Sequence, residues 1–226
     1  MIDLLTGPLF KLSLLVFVVG LVFRIVQYVR GLDWRLERVA YRYAGTAGVA
    51  GGIWSVFKWL LPFGTHSWRN QIFTTVAFFF FHLGVVICPL FLAGHMVVME
   101  NQLGFSFPAL SVCAGDVLAL LGLLGGVMLL VRRITLPQVR FLTDKKDMAL
   151  LLLCLFTLAT GILARIQPCC YEFMLSLHIL SGEIILVLAP FTKLSHIALF
   201  FASRIQIGID FAVKRGGATR GALFPW

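Results

Sequence analysis

Five apolar stretches, each long enough to cross a lipid bilayer, recur along this chain at about residues 9–29, 71–99, 112–131, 148–166 and 173–201. Lipid offers the backbone no hydrogen-bonding partner, so such a chain must satisfy its own N–H and C=O groups within helices. Composition agrees. Of 226 residues 60% are hydrophobic and 13% charged, too few charges to cover a soluble core of this size. The expected fold is an all-α integral membrane protein with five transmembrane helices forming a single domain over residues 1–226. The opening MIDLLTGPLFK lacks the basic head and small-residue cleavage site of a secretory signal, so the first span is expected to be retained.

The net charge of +9 is concentrated in three segments. Residues 30–70 hold Arg30, Arg35, Arg38, Arg42, Lys58 and Arg69, and residues 132–147 hold Arg132, Arg133, Arg140, Lys145 and Lys146. The tail carries Arg204, Lys214, Arg215 and Arg220. Because spans alternate sides, all three fall on one side, and the positive-inside rule predicts an outer N-terminus and a cytoplasmic C-terminus. Orientation explains this charge better than nucleic acid does. Trp54, Lys58 and Trp59, just before Pro62, predict an amphipathic stretch at the membrane interface.

Cys88, Cys113 and Cys154 stand singly in apolar spans and read as small buried hydrophobes, whereas Cys169–Cys170 is an adjacent pair compatible with a bridge or with two thiols. There is no C-x-x-C-H, phosphate loop, dinucleotide fingerprint, nucleophile elbow or H-E-x-x-H, which argues against covalent haem, nucleotide and hydrolase chemistry.

The chemistry-bearing residues are histidines. His66, in GTHSW, reads as a solvated loop residue. The other four fall two to a span: His82 and His95 in the second, His178 and His196 in the fifth. Intramembrane ionisable groups are expensive and tend to mark function. His178 and His196 are 18 residues apart. On a regular helix that is roughly five turns, placing both on one face about 27 Å apart. Antiparallel spans then match inner with inner and outer with outer, giving the pairs His82/His196 and His95/His178. Two facing imidazole pairs describe axial ligation of two b-type haems between helices 2 and 5. Gly84, Gly94 and Gly182 are expected to leave room for the macrocycles. The spacing of 13 between His82 and His95 is about 140° out of register on an ideal helix. Pro89 and Pro190 are the expected kinks that correct it.

Glu183 is the intramembrane candidate for a proton donor or acceptor in quinone chemistry, and Arg165 a candidate for meeting quinone or haem propionates at the outer face. A transporter or proton channel with a His/Glu relay is the competing class. It would distribute polar residues over several broken helices, whereas the third and fourth spans are nearly pure hydrocarbon.

The motifs H-x3-G-x7-P-F-T-K-L-x-H in the fifth span, F-H-L-G…A-G-H in the second and V-R-R-I-T-L-P-Q-V-R at 131–140 resemble the gamma-type subunit of respiratory nitrate reductase and its dihaem cytochrome b relatives. Within that group, size and character are most similar to the cytochrome b subunit of the high-molecular-weight cytochrome c complex of sulfate-reducing bacteria. The histidine spacing in the second span is wider than in nitrate reductase itself. The resemblance implies a multi-pass protein of the bacterial cytoplasmic membrane, an electron-transfer subunit of an oxidoreductase complex. It further implies two haem b groups and electron flow between periplasmic multihaem cytochrome c or the menaquinone pool and a cytoplasmic iron–sulfur partner.

Overall fold

The computed structural model describes residues 2–32, 48–166 and 170–214, with side chains through 211. Arg35, Arg38, Arg42, Cys169, Arg215 and Arg220 lie outside the described residues, as does the side chain of Lys214. The described residues are helical and contain no strand. Ten helices are labelled in chain order: α1 (Ile2–Gly31), α2 (48–60), α3 (His66–Asn70), α4 (Ile72–Phe91), α5 (Ala93–Leu103), α6 (Val112–Thr135), α7 (Pro137–Leu142), α8 (Lys145–Ile166), α9 (Tyr171–Leu188) and α10 (His196–Lys214). Among the described residues five stretches are long and apolar enough to cross a membrane: α1, α4, α6, α8, and α9 with its extension to Phe191.

Two of the five are shorter than the sequence suggests. The second ends at Phe91 rather than 99, and the fifth at Phe191 rather than 201. Each break lies next to a proline, which weakens a helix because it withdraws one N–H from the ladder and crowds the preceding turn. Before Pro89 the helix widens into a π turn over Leu83–Ile87, and at Leu92 the backbone becomes extended (φ −69°, ψ 136°). At Pro190 the α-helix has already given way to a 3-10 turn over Ala189–Phe191, and Thr192 is extended. These are breaks, not kinks. The expectation that His178 and His196 share one face of a continuous helix is therefore corrected, because the helix carrying His178 ends at Leu188 and His196 opens α10.

The described chain forms two compact units. The first contains the residues up to Phe17 with Val76–Leu188. Here α6 meets its neighbours through glycines, which let backbones and bulky side chains approach closely. A Cβ on Gly125 would come 2.6 Å from the Phe81 nitrogen, and one on Gly126 would come 2.5 Å from Leu155 Cδ2. Gly84, expected to make room for a macrocycle, is buried against Gly122 instead. Gly94 and Gly182 do face open space.

The second unit contains Val18–Thr75 with the residues from Ala189 onward. In it α2 lies against α10, where a Cβ on Gly208 would come 2.6 Å from Gly52 Cα. The Arg204 guanidinium covers the Trp59 ring at 4.6 Å, Trp59 meets Trp68 edge-on at 5.6 Å, and Lys58 lies 5.4 Å from the Trp54 ring. Tyr28 donates its hydroxyl hydrogen to Gln206 Oε1. Away from α10, α2 exposes Val49, Ile53, Trp54, Phe57 and Leu60, an apolar surface suited to lipid.

Candidate functional site

The helix break at Leu92 leaves carbonyls of the last turn of α4 without their usual helical partners. Cys88 O, one residue before that group, keeps its helical partner and gains a second. It accepts the Leu92 N–H at 3.0 Å and also Nδ1–H of His95 at 3.0 Å. Phe91 O is satisfied by Leu110 N–H at 2.8 Å, which ties down the connection between α5 and α6. The break thus solves the register problem. His95 does not continue the turn of His82 but sits on a new helix, aimed by a carbonyl of the old one.

Opposite it, His178 of α9 donates Nδ1–H to Thr157 O of α8 at 2.9 Å. The two Nε2 atoms then face each other at 3.4 Å, with the ring planes 20° apart. The ring centroids are 5.7 Å apart. They are farther apart than the nitrogens by about two ring radii, so the imidazoles meet corner to corner rather than face to face.

The same anchoring recurs at His82 and at His196, the latter exposed and beyond the Phe191 end of the fifth span. His82 Nδ1 bonds Phe78 O at 2.8 Å, and His196 Nδ1 bonds Lys193 O at 2.8 Å. A carbonyl oxygen only accepts, so in all four rings Nδ1 carries the proton and a neutral ring keeps its lone pair on Nε2. His66 is the exception, because its Nδ1 accepts from the Asn70 amide at 3.1 Å.

Two lone pairs aimed at each other across 3.4 Å repel unless an electrophile lies between them. A shared proton would create an imidazolium in apolar surroundings, which is costly. A metal ion removes the conflict. With imidazole–metal bonds of about 2.0 Å, as for zinc, the nitrogens need to open by only about half an ångström. Among the described residues no cluster of three or more His, Cys, Asp or Glu could hold a metal. Two imidazoles alone leave a bare ion under-coordinated, so a group that brings its own equatorial ligands fits this donor set, as haem does.

Arg165 pairs with Asp116, Nε to Oδ1 3.4 Å, and both side chains are about half exposed, at 59% and 47%. Glu183 is the reverse case. It is 5% exposed, and among the described residues neither carboxyl oxygen has a hydrogen-bond partner. Two contributors were missed by sequence reasoning. Thr157 acts through its backbone oxygen, which no side-chain pattern announces. Gly161 lies one turn further along α8, directly against the His178 ring. Only its i, i+4 relation to Thr157 could have suggested it.

Five apolar helices among the described residues, with the half-buried imidazoles of His95 and His178 facing each other, define a multi-pass membrane protein. More particularly, the chain belongs to the nitrate reductase gamma subunit family, whose model matches residues 60–172. That is a family of membrane-embedded, haem b-binding electron-transfer subunits of redox complexes. The matched region includes His82 and His95 and ends before His178 and His196. A protein of Nitratidesulfovibrio vulgaris strain Hildenborough is 54% identical over 222 residues, covering 98% of each chain. No solved structure matches the chain.

Proposed function

We propose that this subunit carries electrons across the bacterial cytoplasmic membrane through two b-type haems. His95 with His178 holds the outer haem and His82 with His196 the inner one. The carrying observation is the facing Nε2 pair of His95 and His178, each ring fixed in the ligand tautomer by a backbone carbonyl. Bound haem iron supplies reversible one-electron chemistry. The chain supplies what that chemistry needs: Nε2 donors at fixed angles, N–H bonds to Cys88 O and Thr157 O that make those donors more basic, and apolar helices that exclude water.

The basic segments at Arg30, Lys58 and Arg69, at Arg132–Lys146 and at Arg204 support an outer N-terminus and a cytoplasmic C-terminus. On that topology the outer haem exchanges electrons with the menaquinone pool or a periplasmic multihaem cytochrome c, and the inner one with a cytoplasmic iron–sulfur subunit. The complex is of the high-molecular-weight cytochrome c type. Glu183 is the group placed to give or take the proton of quinol chemistry. Among the described residues its carboxyl has no competing hydrogen bond. Arg165 has a lesser role, because Asp116 already engages it at the surface.

The deciding experiment is an optical spectrum of the purified chain with a pyridine haemochrome assay. Reduced b-type bands and two haems per chain are expected. A colourless, folded protein would end this reading.

A further inference from the structure

The His178 ring is seated by α8 on two sides. Thr157 O receives its Nδ1–H at 2.9 Å, and Gly161 lies against its edge. A Cβ at 161 would come 2.8 Å from Cε1, 2.9 Å from Nδ1 and 3.5 Å from Nε2. No real side chain sits that close, so even alanine must push the ring. The ring cannot yield cheaply, because it is held at Nδ1 and aimed at His95 through Nε2.

Thr157 O has other partners. The helical ladder gives it the N–H of Gly161. The hydroxyl of Thr160, 3% exposed, lies 3.1 Å from it and 2.8 Å from Phe156 O, so that hydroxyl's single proton is shared. Each added donor draws electron density from the carbonyl and weakens what remains for His178. A weaker N–H bond makes the imidazole a poorer donor at Nε2, and ligand basicity tunes a bound metal.

Resting on the haem reading above, we infer that Gly161 and Thr160 of α8 are positioning residues for the outer haem. Gly161 is the notch that fixes the angle of His178, and the Thr160 hydroxyl sets the strength of its hydrogen bond and so the potential of that haem alone. Removing the hydroxyl frees Thr157 O to accept more strongly. His178 then becomes more basic, ferric iron is favoured, and the midpoint falls.

Full-length Thr160→Val and Gly161→Ala are compared with wild type and with Gly7→Ala, a glycine facing open space. The readouts are haem content, potentiometric titration and the EPR signature of the ferric haems. Thr160→Val is expected to keep two haems and lower one midpoint, the step that His178→Ala abolishes. Gly161→Ala is expected to change the EPR signature of that same haem or to lose it while helix content is retained. If Gly161→Ala does not accumulate, Thr160→Val decides alone. Unchanged midpoints in Thr160→Val, or equal movement of both, overturn the inference, as does a wild-type spectrum in Gly161→Ala. Absence of haem from wild type would instead overturn the functional reading itself.

Discussion

Gly84 and Gly122 stand backbone to backbone: a Cβ built on either would lie 2.6 Å from the Cα of the other. This contact locks α4, the helix of His82, to α6. Neither helix can yield a few tenths of an ångström without disturbing the Gly125 and Gly126 contacts on the same face. Gly84→Ala or Gly122→Ala should therefore destabilise the protein by about 1–3 kcal/mol, the usual cost of overpacking. Unfolding in detergent, compared with Gly7→Ala, measures it. Equal stability of all three variants would show that the helices separate freely.

His66→Ala should leave haem content and both redox steps unchanged. Its Nδ1 is an acceptor, opposite to the four histidines anchored to backbone carbonyls. A pyridine haemochrome assay on the variant checks this. Loss of a haem would mean that anchoring to a carbonyl does not mark the ligands.

Glu183→Gln should retain both haems yet slow quinol-linked reduction. Its carboxyl is buried with two oxygens unbonded among the described residues, so the amide adds no steric change but removes the exchangeable acid proton. Stopped-flow reduction by a menaquinol analogue across about pH 6–8 spans the range in which such a group works. Wild-type rates throughout would return Glu183 to a structural part.

Much of the fold was legible because lipid permits so few solutions. Five apolar runs sufficed for five helices, and a glycine-rich α6 is explained once packed. The ends of the second and fifth spans were not legible. Pro89 and Pro190 mark where a helix is weakened, but whether it bends or stops depends on what receives the released carbonyls. At Phe91 the receiver is Leu110 N–H, beyond the break, while the His95 ring adds a second bond to Cys88 O. The His95/His178 pairing could be argued from antiparallel spans. Thr157 and Gly161 could not, since a backbone oxygen and a missing side chain carry no chemical label.

The pairing itself yields the most demanding prediction. His95→Ala and His178→Ala each leave one of two facing imidazoles, so both should lose the same redox step and give one shared spectrum. A substitute ligand is the obvious complication, and Met96 is the nearest candidate in sequence. Its sulfur, however, accepts the Phe107 N–H at 3.3 Å and the side chain is 5% exposed, so recruiting it requires unpicking the α5–α6 connection. His95→Ala should therefore lose the haem rather than exchange its ligand, and near-infrared and EPR spectra should show no methionine–histidine signature. His82→Ala and His196→Ala should together lose the other step. A potentiometric titration of the four variants is the measurement. If His82→Ala abolishes the step that His178→Ala abolishes, the antiparallel assignment fails, and with it the division into an outer and an inner haem.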